Sequence, residues 1–138
     1  MDKKYEIIKN GIDDYSLKYK DKEIRFKSNV GIVNDMQEAN KNARINMIMD
    51  LTRKGMSLKQ FVKEEKKDGK TYYDNTNKRE LENIYIDQET GKVFINKVEE
   101  MLNINYQELI QDIGLKGEEE IIKFNEDLGK AMLGIFPS

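Results

Sequence analysis

The sequence of 138 residues contains no cysteine, no histidine and no tryptophan, and it has a single proline. Without cysteine the chain forms no disulfide and offers no thiolate ligand, and without histidine it lacks the commonest general base at neutral pH. A zinc site of ordinary composition and a Ser-His or Cys-His nucleophile are therefore excluded. We expect a protein that is not an enzyme and that uses no cofactor and no metal.

The carboxylates do not replace the missing residues. Glu118, Glu119 and Glu120 are adjacent, so on a helix they point in different directions and cannot act as a pair. A calcium loop beginning at Asp87 fails because glycine falls at the fifth place rather than the sixth, and Val98 stands where a bidentate glutamate is required. No glycine-rich nucleotide-binding motif is present. We therefore predict no catalytic, cofactor-binding or metal-binding residues.

Long apolar runs are missing as well. None approaches the length of about 18 residues that a membrane-spanning helix needs, and the opening MDKKYEIIKNGIDD lacks the apolar core of a signal peptide. Hydrophobic residues make up 38% of the chain and charged residues 36%, which is lean in apolar content but within the globular range. We expect a soluble cytoplasmic protein without a membrane partner, folded as a single domain over residues 1–138 with a thin core.

Alternation near the N-terminus predicts a β-hairpin with one apolar face. The apolar members of this pattern are Tyr15, Leu17, Tyr19, Ile24 and Phe26. Because two strands alone are marginally stable, we expect this face to pack on a helix, and the segment 5–8 is a candidate third strand. Helical spacing then predicts a long helix from Gly31 to Arg53, closed by Gly55, and Ser57 with Gln60 indicates a short capped helix. The polar segment 63–77 is predicted to be an exposed, mobile loop.

The segment 84–95 fits two structures. The turn-forming residues before Gly91, between two β-branched and aromatic runs, favour a second hairpin. The alternative is a continuous helix through Gly91, because five apolar residues share one heptad phase: Leu81, Ile84, Ile95, Val98 and Leu102. We favour the hairpin, so the predicted fold class is α+β, mainly α-helical, with an N-terminal β-hairpin packed on a helical body and a possible second hairpin near 84–95.

The C-terminal part predicts three helices. Asn96 with Glu99, and Asn105 with Glu108, are N-cap signals, and Gly114 is a C-cap signal. The last helix begins at the glutamate run 118–120, where carboxylates favour the positive helix end.

A basic hairpin raises the possibility of nucleic-acid binding. Lys18, Lys20, Lys22, Arg25 and Lys27 are interleaved with aromatic residues. Alternation, however, places the aromatics on the face opposite most of the lysines, where the core is expected, and lysine also protects edge strands from pairing. With a sequence pI near 5.4, the pattern disfavours a nucleic-acid partner.

Charge and methionine are both unevenly distributed. The formal charge is +4 through Gly69 and −6 from Lys70 onward, which fits either self-association of the basic half with the acidic half or a solvated surface with chance unevenness. Met36, Met47, Met49 and Met56 lie along or just after one helix, where flexible thioethers suit either an adaptable binding groove or ordinary core packing.

In element order the chain resembles the tail assembly chaperones of phages and prophages of low-GC Gram-positive bacteria. The resemblance rests on the hairpin DDYSLKYKDKEIRFK, the helix NVGIVNDMQEANKNARINMIMDL and the closing helix EEEIIKFNEDLGKAMLG. It implies a cytoplasmic protein of the host cell that binds the tape-measure protein and presents it to tail-tube subunits during tail morphogenesis. The candidate protein-binding residues for this role are Met36, Ile48, Met49, Phe124, Leu128 and Met132. Two alternatives stay open: a small phage-encoded inhibitor of a host defence system acting by protein binding, and a nucleic-acid-binding regulator.

Overall fold

A computed structural model describes residues 3–137 and shows an α+β protein that is 57% helical. The strands are β1 (Glu6–Lys9), β2 (Asp14–Tyr19), β3 (Lys22–Lys27), β4 (Lys63–Lys67) and β5 (Lys70–Asp74). The helices are α1 (Ile32–Arg53), α2 (Thr76–Leu102), α3 (Tyr106–Ile113) and α4 (Gly117–Met132). The residues fall into two compact units: the first unit comprises 3–33 and 94–137, and the second unit comprises Asn34–Val93. Among residues 3–137, no helix has both the length and the apolar character needed to cross a bilayer.

The first unit begins with an antiparallel sheet in the order β1-β2-β3, which confirms the predicted hairpin and its third strand. The register pairs Ile7 with Leu17, and Leu17 with Ile24. Because side chains alternate along a strand, one face of the sheet collects apolar side chains. The buried members are Ile7, Tyr15, Leu17, Tyr19 and Phe26.

The helices of the first unit supply the rest of its core. Tyr5, just before β1, meets Phe124 of α4 edge-to-face, with 4.9 Å between ring centroids. The Tyr5 hydroxyl donates to Asp127 Oδ2 at 2.7 Å, and Lys123 donates to Asp127 Oδ1 at 3.0 Å, so this buried carboxylate is paired. Burial, followed by the hydrogen bond to Asp127, raises the pKa of Tyr5. The other buried helix residues of this unit are Ile32, Val98, Leu102, Leu109, Ile113, Leu128, Ala131 and Met132.

Two predicted caps are confirmed in this unit. Asn105 Oδ1 accepts from the Glu108 N–H at 3.1 Å at the start of α3, and Gly114 takes the left-handed conformation at its end, with φ of 85°. Asn96, in contrast, lies inside α2 and begins no helix. Glu99 Oε2 accepts instead from the Tyr106 N–H at 2.8 Å.

The second unit is an antiparallel pair formed by residues 34–53 of α1 and residues 76–93 of α2. Asn46 Nδ2 donates to Glu89 Oε1 at 3.3 Å, and the Tyr85 hydroxyl donates to Asp50 Oδ2 at 2.8 Å. From Asn46 to Asp50 the chain advances along α1, while the partners move back along α2 from Glu89 to Tyr85, so the two helices are antiparallel. The buried α1 residues of this unit are Ala39, Ala43, Met47 and Leu51.

The predicted mobile loop at 63–77 is wrong, although the prediction of exposure is right. The chain forms a β4–β5 hairpin in which Lys67 opposes Lys70 across a two-residue turn. Asp68 and Gly69 in that turn have φ of 53° and 74°. Asp-Gly is a favoured type I′ turn sequence. The strands on either side of it show no alternation of apolar and polar residues, so hydrophobic periodicity did not predict them.

The favoured hairpin at 84–95 is also wrong, because the whole segment lies within α2. Side-chain bonds typical of a helix replace the expected turn: Thr90 Oγ1 donates to the Ile86 carbonyl, four residues earlier, at 2.7 Å. Gly91 sits in the helix interior with no positive φ. The alternative prediction, a continuous helix through Gly91, is therefore confirmed.

Candidate protein-binding surfaces

Exposed aliphatic side chains gather on one side of α1 in the second unit. Ile45, Ile48 and Met49 are 46%, 51% and 51% exposed. Their spacing of three and four residues places them together on a helix of about 3.6 residues per turn. We call these three residues the outer face of α1.

The sequence of α1 explains why this face is left open. The buried residues Ala39, Ala43 and Met47 repeat every four residues and occupy one side of the helix. On a helical wheel, Ile45 and Ile48 fall roughly opposite that side. The helix is therefore apolar on two sides, and in the second unit only one of them is buried.

Basic residues border the outer face of α1. Lys41 and Arg44 are exposed within one turn of Ile45 and Ile48. Asp50, further along the helix, is paired with Arg53 at 3.2 Å and accepts from the Tyr85 hydroxyl. The hydrogen bond to Asp50 also raises the pKa of Tyr85. The border therefore favours a ligand that carries apolar side chains flanked by carboxylates.

A second group of exposed aliphatic residues lies at one end of the first unit. Backbone hydrogen bonds bring three separate segments together there: Ser28 N–H donates to the Asp13 carbonyl at 2.8 Å, and Asn29 N–H donates to the Met132 carbonyl at 2.8 Å. The apolar residues on these segments are Ile12, Val30, Leu133 and Ile135, exposed by 90%, 69%, 40% and 55%. We call these four residues the end cluster.

The six predicted binding residues divide evenly between the two units. Ile48 and Met49 are exposed and Met36 is half-buried in the second unit. The other three lie in the first unit and are fully buried: Phe124, Leu128 and Met132. Within this structure, those three side chains hold the core of α4, so a binding face built on α4 requires a rearrangement of that core.

Ile45 and the end cluster were not among the predicted binding residues. Ile45 could have been found from its spacing to Ile48 and Met49 on a helix whose other side was already apolar. The end cluster had no such signal, because Ile12, Val30 and Ile135 lie in three different loops. Only the tertiary structure brings these loops together.

The aromatic residues of the basic hairpin are unavailable for stacking on bases. Tyr15, Tyr19 and Phe26 are at most 4% exposed. Two of the basic side chains are paired with acidic ones, Lys22 with Asp112 at 3.4 Å and Arg25 with Asp14 at 2.6 Å. The exposed side of the sheet therefore offers charge without a stacking platform.

Across residues 3–137, no group of three acidic side chains could hold a metal ion. A shallow depression of about 300 Å³ is lined by Glu99, Asn103, Ile104 and Asn105. Its polar groups act within the fold, because Glu99 accepts from Tyr106 and Asn105 caps α3.

No protein-family model matches this chain, and the searches of curated proteins and of solved structures found no similar protein.

Proposed function

We propose that this protein works by binding apolar segments of another protein, in the manner of a phage tail assembly chaperone acting on the tape-measure protein. The outer face of α1 is the observation that carries the proposal. Three large aliphatic side chains there are about half exposed on a helix whose opposite side is already buried. Contiguous exposed apolar side chains are typical of surfaces that bind a partner.

The chemistry of this surface suits a helical client. A tape-measure protein is a long helical chain that exposes apolar stripes before the tail tube surrounds it. Ile45, Ile48 and Met49 offer a matching stripe, and the unbranched thioether of Met49 adapts to clients of different shape. Lys41 and Arg44 would meet acidic residues beside the client's apolar stripe and select its orientation.

The test is co-expression with an affinity-tagged tape-measure segment that is insoluble when expressed alone. The amount of client in the soluble fraction and the stoichiometry of the purified complex are measured. The double variant Ile48→Glu/Met49→Glu should lose client rescue, because two charges would be buried without partners in the complex. Ile84→Glu is the matched control, since Ile84 is 55% exposed on α2 of the same unit and lies off this face.

The expected result is rescue by the wild type and by Ile84→Glu, with loss in the double variant and an unchanged thermal transition. Failure of the wild type to solubilise the client would overturn the chaperone role. Loss of rescue in Ile12→Glu but not in the double variant would move the binding surface from the outer face of α1 to the end cluster.

A further inference from the structure

The β4–β5 hairpin has no core of its own. Every residue from Lys63 to Asp74 is exposed, including Tyr72 at 53% and Tyr73 at 65%. The two strands form a separate sheet, and neither outer edge pairs with another strand within residues 3–137. Two-stranded sheets without a packed face are only marginally stable in water. Pairing of an outer edge with another strand would therefore stabilise this hairpin.

The turn determines which backbone groups face each edge. In a two-residue type I′ hairpin the closing pair, here Lys67 and Lys70, is hydrogen-bonded. Successive residues point their N–H and C=O groups to opposite sides of a strand. Thr71 and Tyr73 therefore direct their backbone groups to the outer edge of β5, and Lys66 does so on the outer edge of β4.

The two edges differ in chemistry. The β4 edge carries Lys63, Lys66 and Lys67, and lysine on an edge strand opposes pairing with another chain. The β5 edge presents Thr71, Tyr72 and Tyr73 in succession, which are residues that favour strands. Exposed tyrosines are also typical of protein interfaces.

We propose that β5 pairs antiparallel with β5 of a second copy of this chain, joining two hairpins into one four-stranded sheet. With Tyr72 opposite Tyr72 on the two-fold axis, Thr71 of each copy opposes Tyr73 and Lys70 opposes Asp74. The hydrogen-bond pattern permits only registers that pair residues of the same orientation. The nearest allowed register on either side separates Lys70 from Asp74. It places Tyr72 opposite Lys70 in one case and opposite Asp74 in the other.

Charge complementarity supports a second copy as the occupant. The proposed register forms two symmetry-related Lys70–Asp74 pairs, and opposite charges placed directly across a sheet are stabilising. Asp74 also accepts from the Thr76 hydroxyl at 2.6 Å, and this hydrogen bond lowers the pKa of Asp74. Its carboxylate is therefore negative at neutral pH. The inference does not depend on the proposed client-binding function.

A cysteine cross-link tests the register directly, because the chain contains no native cysteine. Tyr72 would form a non-hydrogen-bonded pair with its own copy, at a Cα separation of about 4.5 Å, within the range that a disulfide spans. Full-length Tyr72→Cys should give an interchain disulfide dimer under mild oxidation. Glu65→Cys is the control, since Glu65 opposes Tyr72 on β4 and shares its face of the hairpin. Equal cross-linking of the two variants, or none in either, would overturn the pairing.

Edge-blocking variants give a second readout by light scattering of the full-length protein. Thr71→Pro removes an outward-facing N–H of β5, and Lys66→Pro removes its counterpart on β4. We expect Thr71→Pro to abolish the dimer and Lys66→Pro to retain it, with unchanged helical circular dichroism in both.

Lys70→Glu, which replaces two attractive pairs by two repulsive ones, should weaken the dimer by about tenfold. A monomeric wild type at all concentrations, or equal dimerisation of the two proline variants, would contradict the proposal. Loss of client rescue in Thr71→Pro, together with no cross-link in Tyr72→Cys, would assign the edge to the client and reject the second copy.

Discussion

The two compact units of this protein differ in how much apolar side-chain surface they bury and how much they expose. The first unit buries large side chains completely, among them Tyr15, Leu17 and Phe124. The second unit buries only four residues of α1, two of them alanines, and its hairpin is exposed throughout. Burying apolar surface is the main source of folding free energy, so the first unit contributes most of the stability. The second unit offers the surfaces from which binding is proposed.

The hydrogen bonding of buried polar groups also differs between the two units. In the first unit the buried Ser16 hydroxyl accepts from Asn10 at 2.7 Å, and Asp127 has two partners. In the second unit the buried Asn40 Oδ1 has no hydrogen-bond partner, which costs about 1–3 kcal/mol. The helical pair is held partly by exposed polar bonds such as Asn46 to Glu89. Its local opening should therefore cost less free energy than opening of the first unit.

The largest expected effect comes from emptying the core of the first unit. Phe124 is fully buried and packs edge-to-face on Tyr5. Phe124→Ala should lower the free energy of unfolding by about 3–5 kcal/mol, because it removes a large side chain and leaves a cavity. Ile48→Ala, on the outer face of α1, should change it by less than about 0.5 kcal/mol. Urea unfolding followed by circular dichroism measures both. Similar losses in the two variants would show that the outer face of α1 is part of the core.

Two glycines should respond to alanine with opposite signs. Gly114 caps α3 with φ of 85°, so Gly114→Ala in the first unit should cost about 1 kcal/mol. Gly91 lies inside α2 with nothing within 4 Å of an added Cβ, so Gly91→Ala in the second unit should stabilise by about 0.5–1 kcal/mol. Thermal unfolding of both variants checks the signs. Destabilisation by Gly91→Ala would mean that the helix needs a glycine there for a reason other than conformation.

The smallest expected effect is a pH dependence that arises in the first unit. The Lys4 ammonium, 2.7 Å from Glu120 Oε1, and the Lys116 N–H lower the pKa of Glu120. An acid whose pKa is lower in the folded state binds more protons when unfolded. Its stabilising effect is therefore complete above the ordinary glutamate pKa of about 4.3 and is lost as pH falls through the lower folded value.

Glu120→Gln should therefore be less stable than the wild type near neutral pH, and the difference should shrink below about pH 4. Glu118→Gln, an exposed glutamate of the same helical turn, is the control and should show a weaker pH-dependent difference. Urea unfolding at a series of pH values measures both. A constant difference across the series would mean that Lys4 and Lys116 do not act on the charged carboxylate.

The sequence by itself determined the elements whose patterns were long or chemically specific. Alternation fixed the sheet face carrying Tyr15 and Phe26, helical spacing fixed α1, and cap chemistry fixed the ends of α3 at Asn105 and Gly114. These signals are local, since each depends on residues within a few turns or strand positions. The same local signals misled at Gly91, where the turn chemistry favoured a hairpin and the structure has a continuous helix.

What only the tertiary structure decided is which apolar residues remain uncovered. Met132 and Met49 both lie on helices and have the same chemistry, yet Met132 is fully buried and Met49 is half exposed. Periodicity shows that a helix side is apolar, but it does not show whether another element packs on that side. The end cluster makes the same point, because Ile12, Val30 and Ile135 become neighbours only through backbone hydrogen bonds between distant segments. Exposure depends on long-range packing, and long-range packing is not encoded in any short stretch of the chain.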